Sequence, residues 1–147
     1  LYSVINFMSE AVTIGGGWLG TYAYKGAGRT QPPVRFEATI RMPGSEGGFV
    51  GSILDDGGLG EADIHGEQSR LGLRFSKVYR NRKAAPVSYE GTLAEDGQTM
   101  QGTWQISSIA HGVWDARRTW SDSDDSKAEE TKQEQDAPRV REVVRLG

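Results

Sequence analysis

Cysteine is absent from the 147 residues, which excludes disulfides, thiolate metal sites and a cysteine nucleophile. Only two histidines occur, His65 and His111, and no Ser-His-Asp arrangement can be drawn from them. No apolar run approaches the roughly 20 residues of a membrane-spanning helix, and no charged-apolar-small leader pattern is present. The chain opens on Leu1 rather than Met, so the sequence leaves its cellular location open. The net charge of −3 is too small to select a polyanionic or polycationic partner. That charge is carried by the stretch after Trp120, and the residues before it are close to neutral. A neutral body argues against nucleic-acid binding. No glycine-rich phosphate loop joins a strand to a helix.

Glycine, by contrast, is abundant at 20 residues, clustered at turns and inside strand patterns as curved sheets require. The clearest unit is Val87–Ile106. Val87, Tyr89 and Leu93 alternate with polar residues, Glu95-Asp96-Gly97-Gln98 supplies a turn, and Met100, Gly102, Trp104 and Ile106 alternate on the way back. This spacing predicts a β-hairpin. The same period recurs in Trp18–Tyr24, Val34–Met42, Phe49–Leu54, Leu59–Glu67, Arg70–Tyr79 and His111–Thr119. Asp55-Asp56-Gly57-Gly58 reads as the turn after the third strand. Eight short strands joined by tight turns predict an all-β fold, an antiparallel up-and-down eight-stranded β-barrel, because closure removes both exposed edges.

Three regions follow from composition. Residues 1–14 have helical apolar spacing at Val4, Ile5, Met8, Ala11 and Val12, which predicts a short N-terminal helix. Residues 15–120 form the barrel domain. Residues 121–147 are charged and almost without apolar side chains until Val140, which predicts a disordered tail.

If the alternation holds, Tyr22, Tyr24, Phe36, Phe75, Tyr79, Tyr89 and Trp104 share one interior, with Gly20, Gly51, Gly66, Gly91 and Gly102 on the same faces. Lys77 falls on that face too, and the same reading turns Val113, Asp115 and Arg117 inward. A buried charge is costly unless paired, so these groups mark either a polar end to an apolar pocket, suited to a carboxylate or hydroxyl-bearing ligand, or a structural closure. His65 lies in an outward phase beside Asp63 and Glu67, where a solvated strand face outweighs a metal site. Arg80-Asn81-Arg82-Lys83 is a local basic loop, and with the charged tail it is a candidate contact for a protein partner.

Gly17-Trp18 opening the first strand, the eight-strand meander and Arg117 late in the last strand resemble the calycin superfamily of lipocalins, fatty-acid-binding proteins and avidins. The resemblance implies that Trp18 and Arg117 pack together and close one barrel end. Gly102-Thr103-Trp104 is similar to the avidins, which line their pocket with tryptophans from late strands. The chain departs from the lipocalins in having a polar tail where they carry a helix, and biotin's polar partners in avidins have no match here.

The leading expectation is a non-enzymatic binding barrel for a small apolar or aromatic ligand, or a peptide end. Its ligand would touch Tyr22, Tyr24, Phe36, Phe75, Lys77, Tyr89 and Trp104, with no cofactor and no metal. The alternatives are a packed barrel that serves as a protein-interaction scaffold in a larger protein, and a calycin-like barrel enzyme using Lys77, Asp115, Arg117 or a tyrosine.

Overall fold

A computed structural model describes residues 12–26, 31–44 and 46–122. Eight strands run in chain order: β1 Gly16–Lys25, β2 Val34–Arg41, β3 Gly48–Asp55, β4 Gly60–Ser69, β5 Gly72–Tyr79, β6 Val87–Leu93, β7 Thr99–Ile106 and β8 Ala110–Ser121. Each pairs antiparallel with its neighbour, and β8 returns to β1, so the sheet is a closed barrel. Every strand end falls within two residues of the sequence expectation. The β6–β7 turn uses Gly97 at φ 75°, the left-handed conformation that Asp96-Gly97 foretold.

Alternation fixes the interior. Phe36, Ala38 and Ile40 of β2 are buried between the exposed Arg35, Glu37, Thr39 and Arg41. The interior glycines serve two purposes at once. A Cβ on Gly91 would stand 2.6 Å from the Trp114 ring, and one on Gly112 would stand 2.7 Å from Trp104. Each indole lies across a glycine on another strand, and its N–H reaches a wall carbonyl. Trp104 Nε1 donates to Ala23 O and Val113 O, both at 3.2 Å, and Trp114 Nε1 donates to Glu90 O at 3.0 Å. The backbone approaches closely where no side chain intervenes, and the ring covers the gap.

One barrel end is closed. Ile14 is fully buried there, and Val12–Ile14 carry no helix. The rest of the expected N-terminal helix, residues 1–11, lies outside the described residues, as do 123–147 of the expected tail. Gln68, near the end of β4, holds the entering segment by accepting from Ile14 N at 3.1 Å and donating to Val12 O at 2.9 Å. Trp18 is 1% exposed and donates its indole N–H to Ile14 O at 2.9 Å.

The cation over Trp18 is Arg118, not Arg117. The Arg118 guanidinium lies 4.5 Å from the Trp18 ring centroid. Its nitrogens also donate to Gly97 O, Gly15 O and Thr13 O at 2.6–2.8 Å. The phase of β8 is one residue from the expected one: Gly112, Trp114 and Ala116 face inward, while Val113, Asp115 and Arg117 face solvent. An irregularity between Gly17 and Trp18 in the β1–β8 register then sets Trp18 opposite Arg118.

Candidate functional site

The polar interior lies toward the end opposite Trp18, where β3 and β5 finish and β6 begins. Two residues past Ile53, the alternation of β3 turns Asp55 inward, so the residue expected in a turn is a buried strand terminus. On β5 the same period places Leu73, Phe75 and Lys77 inside, with Tyr79 at the rim. Asp55 and Lys77 form an ion pair, Nζ to Oδ2 2.8 Å, whose side chains are 0% and 1% exposed.

Three tyrosines complete the cluster. Tyr79 donates its hydroxyl to Asp55 Oδ2 at 2.5 Å, and Tyr22 reaches the same oxygen at 3.4 Å. Lys77 Nζ lies 3.5 Å from the Tyr89 hydroxyl. It also sits over the Tyr22, Tyr79 and Tyr89 rings, at 4.8, 4.9 and 5.8 Å from their centroids. The ammonium therefore has both a carboxylate and an aromatic cage, the compensation that a buried cation needs. Asp55 Oδ1, equally buried, has no hydrogen-bond partner among the described residues.

Electrostatics keep the hydroxyls protonated. Burial, reinforced by the charge of Asp55, pushes Tyr22, Tyr79 and Tyr89 well above the ordinary tyrosine value. At neutral pH they are hydrogen-bond donors and not bases. Burial also pushes Lys77 down from the ordinary lysine value, while Asp55 pulls the other way.

Around this cluster the expected rings come together. Phe75 stacks on Tyr89 at 4.6 Å, Phe36 lies 6.5 Å from Tyr22, and Trp104 meets Tyr24 and Tyr22 edge-on at 4.9 and 5.9 Å. Sequence reasoning missed two members. Trp114 packs against Phe75 and Tyr89, each within 6 Å. Its signal was available, because Gly112-Val113-Trp114 repeats the Gly-x-Trp of Gly102-Thr103-Trp104. Asp55 was missed because aspartate before Asp-Gly-Gly reads as turn chemistry. The recoverable signal was Lys77, since an inward lysine demands an anion.

Asp115 and Arg117 stand outside the barrel and cannot join this site. His65 is exposed, and its neighbours Asp63 and Glu67 are engaged by Arg80 and Arg74. In the basic loop, Arg80 is held by Glu61 and Asp63, while the Arg82 guanidinium lies 6.0 Å over the Tyr79 ring.

The class defined by this architecture is a closed antiparallel eight-stranded barrel with a buried Lys-Asp-tyrosine cluster near one end. Comparison with protein families, curated proteins and solved structures finds no match to this chain.

Proposed function

We propose that the protein is a non-enzymatic binding barrel that takes a small aromatic or apolar molecule, carrying a polar group, in at the end opposite Trp18. The observation that carries this reading is the fully buried Asp55–Lys77 pair ringed by three tyrosines. Apolar residues of similar volume at these positions would hold a barrel together as well or better, so a buried pair is weak support for stability and points to selection for recognition. The resemblance to the calycins, whose members bind small molecules inside an antiparallel barrel, supports the same conclusion.

A second reading is favoured by how thoroughly rings and glycines fill the interior. The barrel would then be a scaffold that meets a protein on its outer wall. A groove of about 730 Å³ there, edged by Arg35, Glu37, Asp115 and Arg117, is the kind of surface such a partner would use. A library of small aromatic compounds separates the two. Under the binding reading, a hit stabilises the fold by about 2.7 kcal/mol at a hundredfold excess over its dissociation constant, with shifts of the Trp104 and Tyr89 resonances. A library that gives neither stabilisation nor interior shifts leaves the scaffold reading in its place.

A further inference from the structure

We infer that the interior site selects an uncharged aromatic ligand through one hydrogen-bond donor, an N–H or O–H delivered to Asp55 Oδ1. This rests on the binding reading and narrows its ligand. A carboxylate accepts on both oxygens, and here the two are used very unequally. Lys77, Tyr79 and Tyr22 all converge on Oδ2, whereas Oδ1 is buried with no donor among the described residues. Such an acceptor, shut off from bulk solvent, is left with lone pairs that no described side chain or backbone group satisfies.

Charge then decides what completes it. The pair sums to zero, so the site offers no excess of either sign. An anionic head would need Lys77, which is already spent on Asp55 2.8 Å away, and would face the open lone pairs of Oδ1. A cationic head would be brought beside the Lys77 ammonium without water to screen it. A neutral donor meets neither obstacle. The three tyrosine hydroxyls do not fill the role in this structure, since two point to Oδ2 and the third accepts from Lys77. The rings of Tyr22, Tyr24 and Trp104 supply faces and edges for a flat body. This replaces the carboxylate head that Lys77 alone would suggest. Tyr79, half-buried and bonded to Asp55, is the ring that must give way on entry.

The test uses isosteric probes on the unmodified protein, read by calorimetry with interior tyrosine and tryptophan resonances reporting location. Indole is compared with benzofuran, phenol with fluorobenzene, and benzoate serves as the anion. The donor of each pair is expected to bind at least about tenfold tighter than its isostere, with benzoate weakest, since a hydrogen bond to a charged acceptor is among the stronger ones. In the double variant Asp55→Asn/Lys77→Met, the amide carbonyl faces the tyrosine hydroxyls and turns its NH₂ to the open side, so the donor preference should vanish. Equal binding within each pair would mean that Oδ1 is satisfied by water. That outcome overturns the donor inference and leaves the binding barrel standing, as would benzoate binding as well as phenol. Failure of every probe to enter the interior overturns both.

Discussion

Lys77 and Asp55 are the two residues on which the interior turns. Removing one partner of a buried pair strands the other, so Lys77→Met or Asp55→Asn alone should each cost about 3–5 kcal/mol. The double variant should recover most of that loss, because an amide and a thioether need no counter-ion. Urea unfolding of the four proteins measures the coupling. Additive losses would mean that the two groups do not act as a unit. The pair also shows where residue-level reading stops. Lys77 was legible, since Leu71, Leu73, Phe75 and Lys77 keep one period. Its partner was not, because the four acidic and glycine residues Asp55-Asp56-Gly57-Gly58 imitate a turn that begins one residue later than they suggest. The expected cluster of rings is real, but only the anion explains why a lysine can sit among them.

At the level of strands, the hairpins were readable and one phase was not. Periods of two are visible wherever large apolar residues hold one face, as in Val34–Ile40. In β8 the inward face is Gly112, Trp114 and Ala116, two of them too small to outweigh Val113, which stands 38% exposed on the outer wall. A strand whose interior is built from glycine and alanine hides its own direction. The correction has a sharp consequence for the closed end. Arg118→Ala removes a cation over Trp18 and three bonds to backbone carbonyls, and should cost on the order of 2–3 kcal/mol, since hydrogen bonds made by charged groups are the stronger ones. Arg117→Ala, on the solvent face, should change stability by less than about 0.5 kcal/mol. Thermal unfolding of both variants checks the assignment, and the reverse order would restore Arg117 to the barrel floor.

For the molecule as a whole, the chain enters and leaves the barrel at one place. Gly16 pairs with Ser121, and Asp122 N donates to Gly15 O at 3.2 Å, both at the Trp18 end. Among the described residues, the end beside Asp55 is bordered by the β3–β4, β5–β6 and β7–β8 connections. Deleting residues 123–147, whose composition offers little apolar area before Val140, should leave the melting temperature nearly unchanged. A fall of several degrees on scanning calorimetry would show that Val140–Leu146 packs on the barrel.

The seam between β1 and β8 governs the order in which this protein can assemble. Every other seam joins neighbours in the chain and can zip from its own turn, whereas this one must bring Gly16 to Ser121 across nearly the full length of the barrel. The loop entropy of that search is spent before any contact repays it, so ring closure belongs among the late events of folding. Until it happens Tyr22, on β1, cannot roof the Asp55–Lys77 pair, and water still screens both charges. The buried polar cluster is therefore complete only when the last seam shuts.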